Sequence, residues 1–159
     1  HKENDEKVRS RQMVKVIGAG LAGSEAALQL AKRNIISRDQ VTQLISLLDG
    51  YLEKVSKDMI EKESINLLRI SAYFNGQVAQ LYLSLANKEE SLKRYEISRD
   101  INNTITKISD DANDLEYLAN SEYMIEKITN NKHKESKKNY KKFYILRYLF
   151  HDKNNFDHI

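Results

Sequence analysis

Cysteine and proline are both missing from this 159-residue chain, and glycine occurs only five times. Without cysteine there is no disulfide, no thiolate metal ligand and no cysteine nucleophile, which fits a reducing compartment. Without proline, and with three of the five glycines crowded at Gly18, Gly20 and Gly23, few positions can break a helix. The composition therefore favours long helices with short connections. No apolar run approaches the roughly 18 residues of a membrane span, so neither a transmembrane helix nor a membrane partner is expected. Residues 1–12, "HKENDEKVRSRQ", are charged and lack an apolar stretch, so a disordered or tag-like N-terminus is expected there and not a secretory signal. Together these absences make a cytoplasmic location the expectation.

What is present is helical periodicity. Ser37 and Gln40 have capping-box spacing, and Val41, Leu44, Ile45, Leu48, Leu52, Val55 and Met59 follow at intervals of three and four. Gly50 interrupts that helix at a cost of about 1 kcal/mol. A second helix is expected over 64–86, with Leu68, Phe74, Val78, Leu81, Tyr82 and Leu85 inward. Asn87 with Glu90 starts a third, carrying Leu92, Tyr95, Ile101, Ile105 and Ile108. Ser109, Asp110 and Asp111 cap a fourth, with Leu115, Leu118, Ala119, Ile125 and Ile128 on its apolar side. "NNKHKESKKN" reads as a polar break, and "YKKFYILRYLF" suits either a helix or a strand. The expected fold is mainly α, an antiparallel helical bundle or helical-hairpin stack over 37–130, with at most one short N-terminal strand.

Charge is unevenly spread. From Lys127 to Arg147 there are eight basic residues and a single acid, Glu135. Lys132, Lys134, Lys137, Lys138, Lys141, Lys142 and Arg147 alternate with Tyr140, Phe143, Tyr144 and Tyr148. Lysines neutralise phosphates and release counterions, and exposed rings stack on bases, so this basic aromatic element over 131–159 is a candidate RNA or DNA patch. A lysine-rich helix whose aromatic residues face the bundle is the simpler reading. Arg147 and His151 stand four apart, a spacing similar to the Arg–His signature of HEPN-type helical ribonucleases but one residue too short. His151, Asp152, Asp157 and His158 are metal-ligating types in a terminal stretch, where surface histidines are the simpler reading and no metal is expected.

The glycines carry the most specific motif. "VKVIGAGLAGSEAA", residues 14–27, places Gly18, Gly20 and Gly23 between an apolar strand candidate at 13–17 and an alanine-rich helix at 24–33. That spacing gives a tight turn, a close backbone approach to a pyrophosphate and a helix N-terminus aimed at it. Residues 13–35 resemble the opening of the TrmFO-type folate- and FAD-dependent tRNA (uracil-5-)-methyltransferases. The resemblance implies FAD held at Gly18, Gly20 and Gly23, and methylation of a tRNA uridine. Beyond Ile35 the chain turns to helical patterning, and segments that would complete a flavin domain are not found.

Residues 72–98 resemble one tetratricopeptide repeat. Val78, Ala79, Tyr82, Ala86, Ser91, Tyr95 and Ser98 fall where that repeat wants large, small or aromatic residues, and Asn75 stands where an aromatic is usual. No catalytic constellation is expected in the helical body, because its paired carboxylates sit at helix ends. The leading expectation is a non-enzymatic helical interaction module for a protein partner, with possible nucleic-acid contact through the basic segment and no cofactor. A fragment or relative of the FAD-dependent tRNA-modifying enzymes is the alternative, and a small helical nuclease using Arg147 and His151 is the third.

Overall fold

The computed structural model describes residues 29, 33, 36–61, 64–132 and 134–157, with side chains as far as Leu149. The glycine motif, its strand candidate and nearly all of the helix expected at 24–33 lie outside these residues. Five helices follow in order: α1 (Arg38–Glu61), α2 (Ile65–Ser84), α3 (Lys88–Ile108), α4 (Ala112–Thr129) and α5 (Lys134–Asp157). No strand occurs among the described residues. Connections of three or four residues turn each helix back on the last. Each packs on its neighbours in chain order, and α1 forms no packed interface with α5 among the described residues. This is the layout of a helical-hairpin stack.

Local chemistry sets the helix ends. The capping box at the start of α1 closes reciprocally: Gln40 N donates to Ser37 Oγ at 3.2 Å, and Ser37 N donates to Gln40 Oε1 at 2.9 Å. Asn87 Oδ1 accepts from Glu90 N at 3.2 Å and caps α3. At α4 the cap is Asp111, whose Oδ1 accepts from Asn113 N at 2.9 Å, while Ser109 Oγ steadies Asp111 N. Two helices end in left-handed residues, and neither is glycine. Ala86 has φ 58 and Asn130 has φ 55. In both, the next amide donates to the carbonyl five residues back, Asn87 to Tyr82 at 2.9 Å and Asn131 to Glu126 at 3.0 Å. That is the Schellman closure. Gly50 and Gly76 instead sit inside helices.

The expected apolar stripe of α1 is the core. Val41, Leu44, Ile45, Leu48 and Leu52 are buried against Phe74, Val78 and Leu81 of α2, with Ile36 closing one end. Burying each large aliphatic side chain contributes about 1.5–3 kcal/mol. Tyr51 and Tyr73 both meet Phe74 edge-on, at 5.2 and 5.5 Å between ring centres. Between α2 and α3 the seam is lined by small residues. Ser91 Oγ donates to Ala79 O and Ser98 Oγ to Ala72 O, both at 2.8 Å, so the backbones approach closely.

Two local expectations are corrected. Ile108 is 63% exposed, because α3 ends there before it can reach the core. Ala86 is an exposed turn residue. "NNKHKESKKN" breaks the chain only at its start, since α5 begins at Lys134 and runs unbroken through 140–150. Its first turn is stabilised from outside: the Glu126 carboxylate of α4 accepts from Ser136 N at 3.2 Å and from Ser136 Oγ at 2.7 Å. A carboxylate placed there satisfies an otherwise orphan amide and complements the helix dipole.

Candidate functional site: a groove between alternate helices

Because α2 and α4 both pack on α3, they form two walls above a shared floor. The space between them is an open groove of about 690 Å³. That volume suits a small molecule or a stretch of peptide. The α2 wall contributes Arg69, Tyr73, Gln77 and Gln80, and the α4 wall contributes Tyr117, Asn120 and Met124. Ala72, Gly76 and Ser98 are small and leave the floor deep, with Tyr95 and Asn102 beside them.

One end is closed by an ion pair. Arg69 Nε and Nη2 donate to the two oxygens of Asp114 at 3.1 and 2.8 Å, a side-on fork. Ser109 Oγ donates to Asp114 Oδ2 at 2.6 Å and accepts from Arg69 Nη2 at 3.1 Å. Burial alone would push the Asp114 carboxyl upward. The hydrogen bonds from Arg69 and Ser109, with the guanidinium charge, outweigh it and hold Asp114 below the usual carboxylate range. Asp114 is thus ionised and committed to Arg69 at neutral pH. Sequence reasoning had placed carboxylates only at helix ends as caps. It missed Asp114 because its partner lies 45 residues away.

Most polar groups in the lining already have partners. Ser121 Oγ donates to Leu118 O at 2.7 Å, and Asn120 Oδ1 accepts from the Tyr140 hydroxyl of α5. Three do not. Gln77 Oε1, Gln80 Oε1 and the Tyr95 hydroxyl are each buried without a hydrogen bond. Tyr95 is only 3% exposed, and burial pushes its phenol up to about 12. Gln80 lies near enough to offset part of that push, yet the two side chains do not close into a bond of good geometry. An unmade hydrogen bond on a buried group costs about 1–3 kcal/mol. All three residues line the groove, but the three atoms themselves are shut off from solvent.

The basic segment occupies α5. Lys132, Lys134, Lys137, Lys138, Lys141, Lys142 and Arg147 are all exposed, and none forms an ion pair among the described residues. At 3.6 residues per turn, Lys134, Lys137, Lys138 and Lys141 share one outward face. The same face continues into exposed Ile145, Tyr148 and Leu149. The aromatics expected to alternate with the lysines separate in the fold. Tyr144 and Tyr148 are exposed, Tyr140 is half-buried and bonded to Asn120, and Phe143 is buried at 1%. Arg147 lies over the Phe143 ring, 5.9 Å from its centre. The side chains of His151, Asp152 and Asp157, and all of His158, lie outside the described residues, as do Gly18, Gly20 and Gly23. Among the described residues no cluster of three or more His, Asp or Glu side chains is placed to hold a metal, and no helix is long and apolar enough to cross a membrane. No protein-family model, curated protein or solved structure matches this chain.

Proposed function

We propose that the chain is a non-enzymatic helical interaction module whose binding surface is the groove between α2 and α4. The observation that carries this reading is an open groove of about 690 Å³ whose lining combines aromatic side chains with small residues. Exposed Tyr73 and Tyr117 at the rim supply the amphipathic area on which protein contacts commonly rest. The one carboxylate in the lining, Asp114, is tied to Arg69 and so has a structural role. The test is retention of a partner by immobilised protein. The expected partner is one kept by the wild type and lost from Tyr117→Ala/Met124→Ala, and unaffected by Lys137→Gln/Lys141→Gln. Equal retention on both variants would sink the groove reading.

A second reading, nucleic-acid contact through α5, is favoured by its row of exposed and unpaired cations. It predicts salt-sensitive retention on RNA, with the salt slope falling by about one for each phosphate-contacting lysine neutralised. Retention that ignores those lysines would exclude it.

A further inference from the structure

We infer that α5 takes single-stranded nucleic acid, with phosphates on Lys137 and Lys141 and unstacked bases on Tyr144 and Tyr148; this rests on the reading of α5 as a nucleic-acid surface. Register is the first argument. These four residues stand at i, i+4, i+7 and i+11, and so form one stripe along the helix. All four are exposed, Tyr144 at 61% and Tyr148 at 67%. Folding withdraws Tyr140 and Phe143 from the alternating sequence and leaves a cationic half followed by an aromatic half. Glu135, the acid of this segment, lies on another side of the helix.

Charge is the second argument. Several surface cations elsewhere are tied to acids, Lys57 to Glu53, Lys93 to Glu90 and Arg99 to Asp100. Neither Lys137 nor Lys141 has such a partner among the described residues. A polyanion can engage them without breaking an ion pair, and gains counterion release at each phosphate. The lysines alone would suit any polyanion. The two rings in register with them are what single out bases.

Spacing is the third argument, and it selects the single strand. At about 1.5 Å of rise per residue the two rings stand about 6 Å apart along the axis, against roughly 3.4 Å between stacked bases. Rings at that interval take bases drawn out of their stack, whereas a duplex keeps its base faces covered. Tyr144 is also held from beneath. Its ring leans on buried Phe143, with 5.2 Å between centres and 58° between planes. A ring fixed by the core loses little freedom when a base settles on it. Arg147, 5.9 Å from the centre of the same Phe143 ring, adds a cation three residues from Tyr144.

The experiment titrates the full chain into a labelled mixed-sequence RNA oligonucleotide, alone and as the duplex with its complement, by fluorescence anisotropy at several salt concentrations. The single strand should bind about tenfold or more tightly than the duplex. Tyr144→Ala/Tyr148→Ala should remove that preference and leave the single-strand salt slope unchanged. Tyr144→Phe/Tyr148→Phe should keep it, because stacking needs the ring and not the hydroxyl. Lys137→Gln/Lys141→Gln should lower the single-strand slope by about 1.4, at about 0.7 per phosphate. Should the alanine pair fail to fold, Tyr148→Ala alone carries the test. Equal affinity for strand and duplex, indifferent to the tyrosines but weakened by the lysine pair, would overturn this inference and leave the nucleic-acid reading standing. Binding to neither form, or to phosphatidylserine vesicles alone, would overturn both.

Discussion

Between α2 and α3 the buried polar groups include serine hydroxyls that donate to main-chain carbonyls, Ser91 to Ala79 and Ser98 to Ala72. Between α4 and α5 they are carboxylates. Glu122, 8% exposed, accepts from Asn139 Nδ2 at 2.6 Å, and Glu126 receives Ser136 as described above. The serines are neutral donors short enough to let two helices touch. The second interface takes carboxylates into the contact, Glu122 bonded to the Asn139 amide and Glu126 to Ser136. Burial pushes the Glu122 carboxyl upward, and the charges of Glu135 and Glu126 push the same way against Asn139 and Arg99. Two hairpins of similar outline therefore differ in what holds them and in how they answer to pH.

Phe143 is the largest test of the contrast, because among the described residues it is the one buried large apolar side chain that α5 contributes. Phe143→Ala should cost about 3–5 kcal/mol. The loss should be uneven: hydrogen exchange would show α5 unprotected while α1 to α3 keep most of their protection. Uniform loss of protection would mean that the two hairpins unfold as one unit.

The turns offer a test of intermediate size. Ala86 and Asn130 occupy the same left-handed position in the two hairpins. Alanine pays a steric penalty there that asparagine largely avoids. Ala86→Gly should raise stability in denaturant by about 1 kcal/mol, and Asn130→Gly by clearly less. Equal gains would show that side-chain contacts, not backbone conformation, set the cost of these turns.

The smallest expected effect concerns pH. A carboxyl whose folded-state pKa lies above its ordinary value, 4.5 for Glu122, opposes folding once both states are ionised. Its penalty is complete above the raised folded value, shrinks as pH falls toward 4.5, and is absent below that. Asp114 runs the other way, since its stabilisation is complete above 3.8 and is lost as pH falls through its lowered folded value. Glu122→Gln should thus match or exceed wild-type stability at pH 7 by about 1 kcal/mol or less, and the difference should vanish in acid. A variant weaker than wild type at pH 7 would mean that the ionised Glu122 is stabilising after all.

Much of this was legible in the chain itself. Missing prolines and sparse glycines called for long helices, and the stripe from Val41 to Val55 is the buried face of α1. Capping residues at Ser37, Asn87 and Asp111 marked helix starts because a cap is a bond made within three residues. Ile108 misled because periodicity carries no information on where the neighbouring helix stops. The start of α5 was hidden for a related reason, since its first amides are met by Glu126 from another helix.

The sequence by itself determined that the described chain would be helical, where most helices begin, and which faces would be apolar, because these follow from bonds and periodicities spanning a few residues. Only the tertiary structure decided that Arg69 would meet Asp114, that Phe143 would turn inward while Tyr144 and Tyr148 stay out, and that Gln77, Gln80 and Tyr95 would share a groove. Each of those outcomes depends on the distance between helices separated by tens of residues. Local chemistry fixes the helices, and their mutual packing fixes which of their side chains find one another.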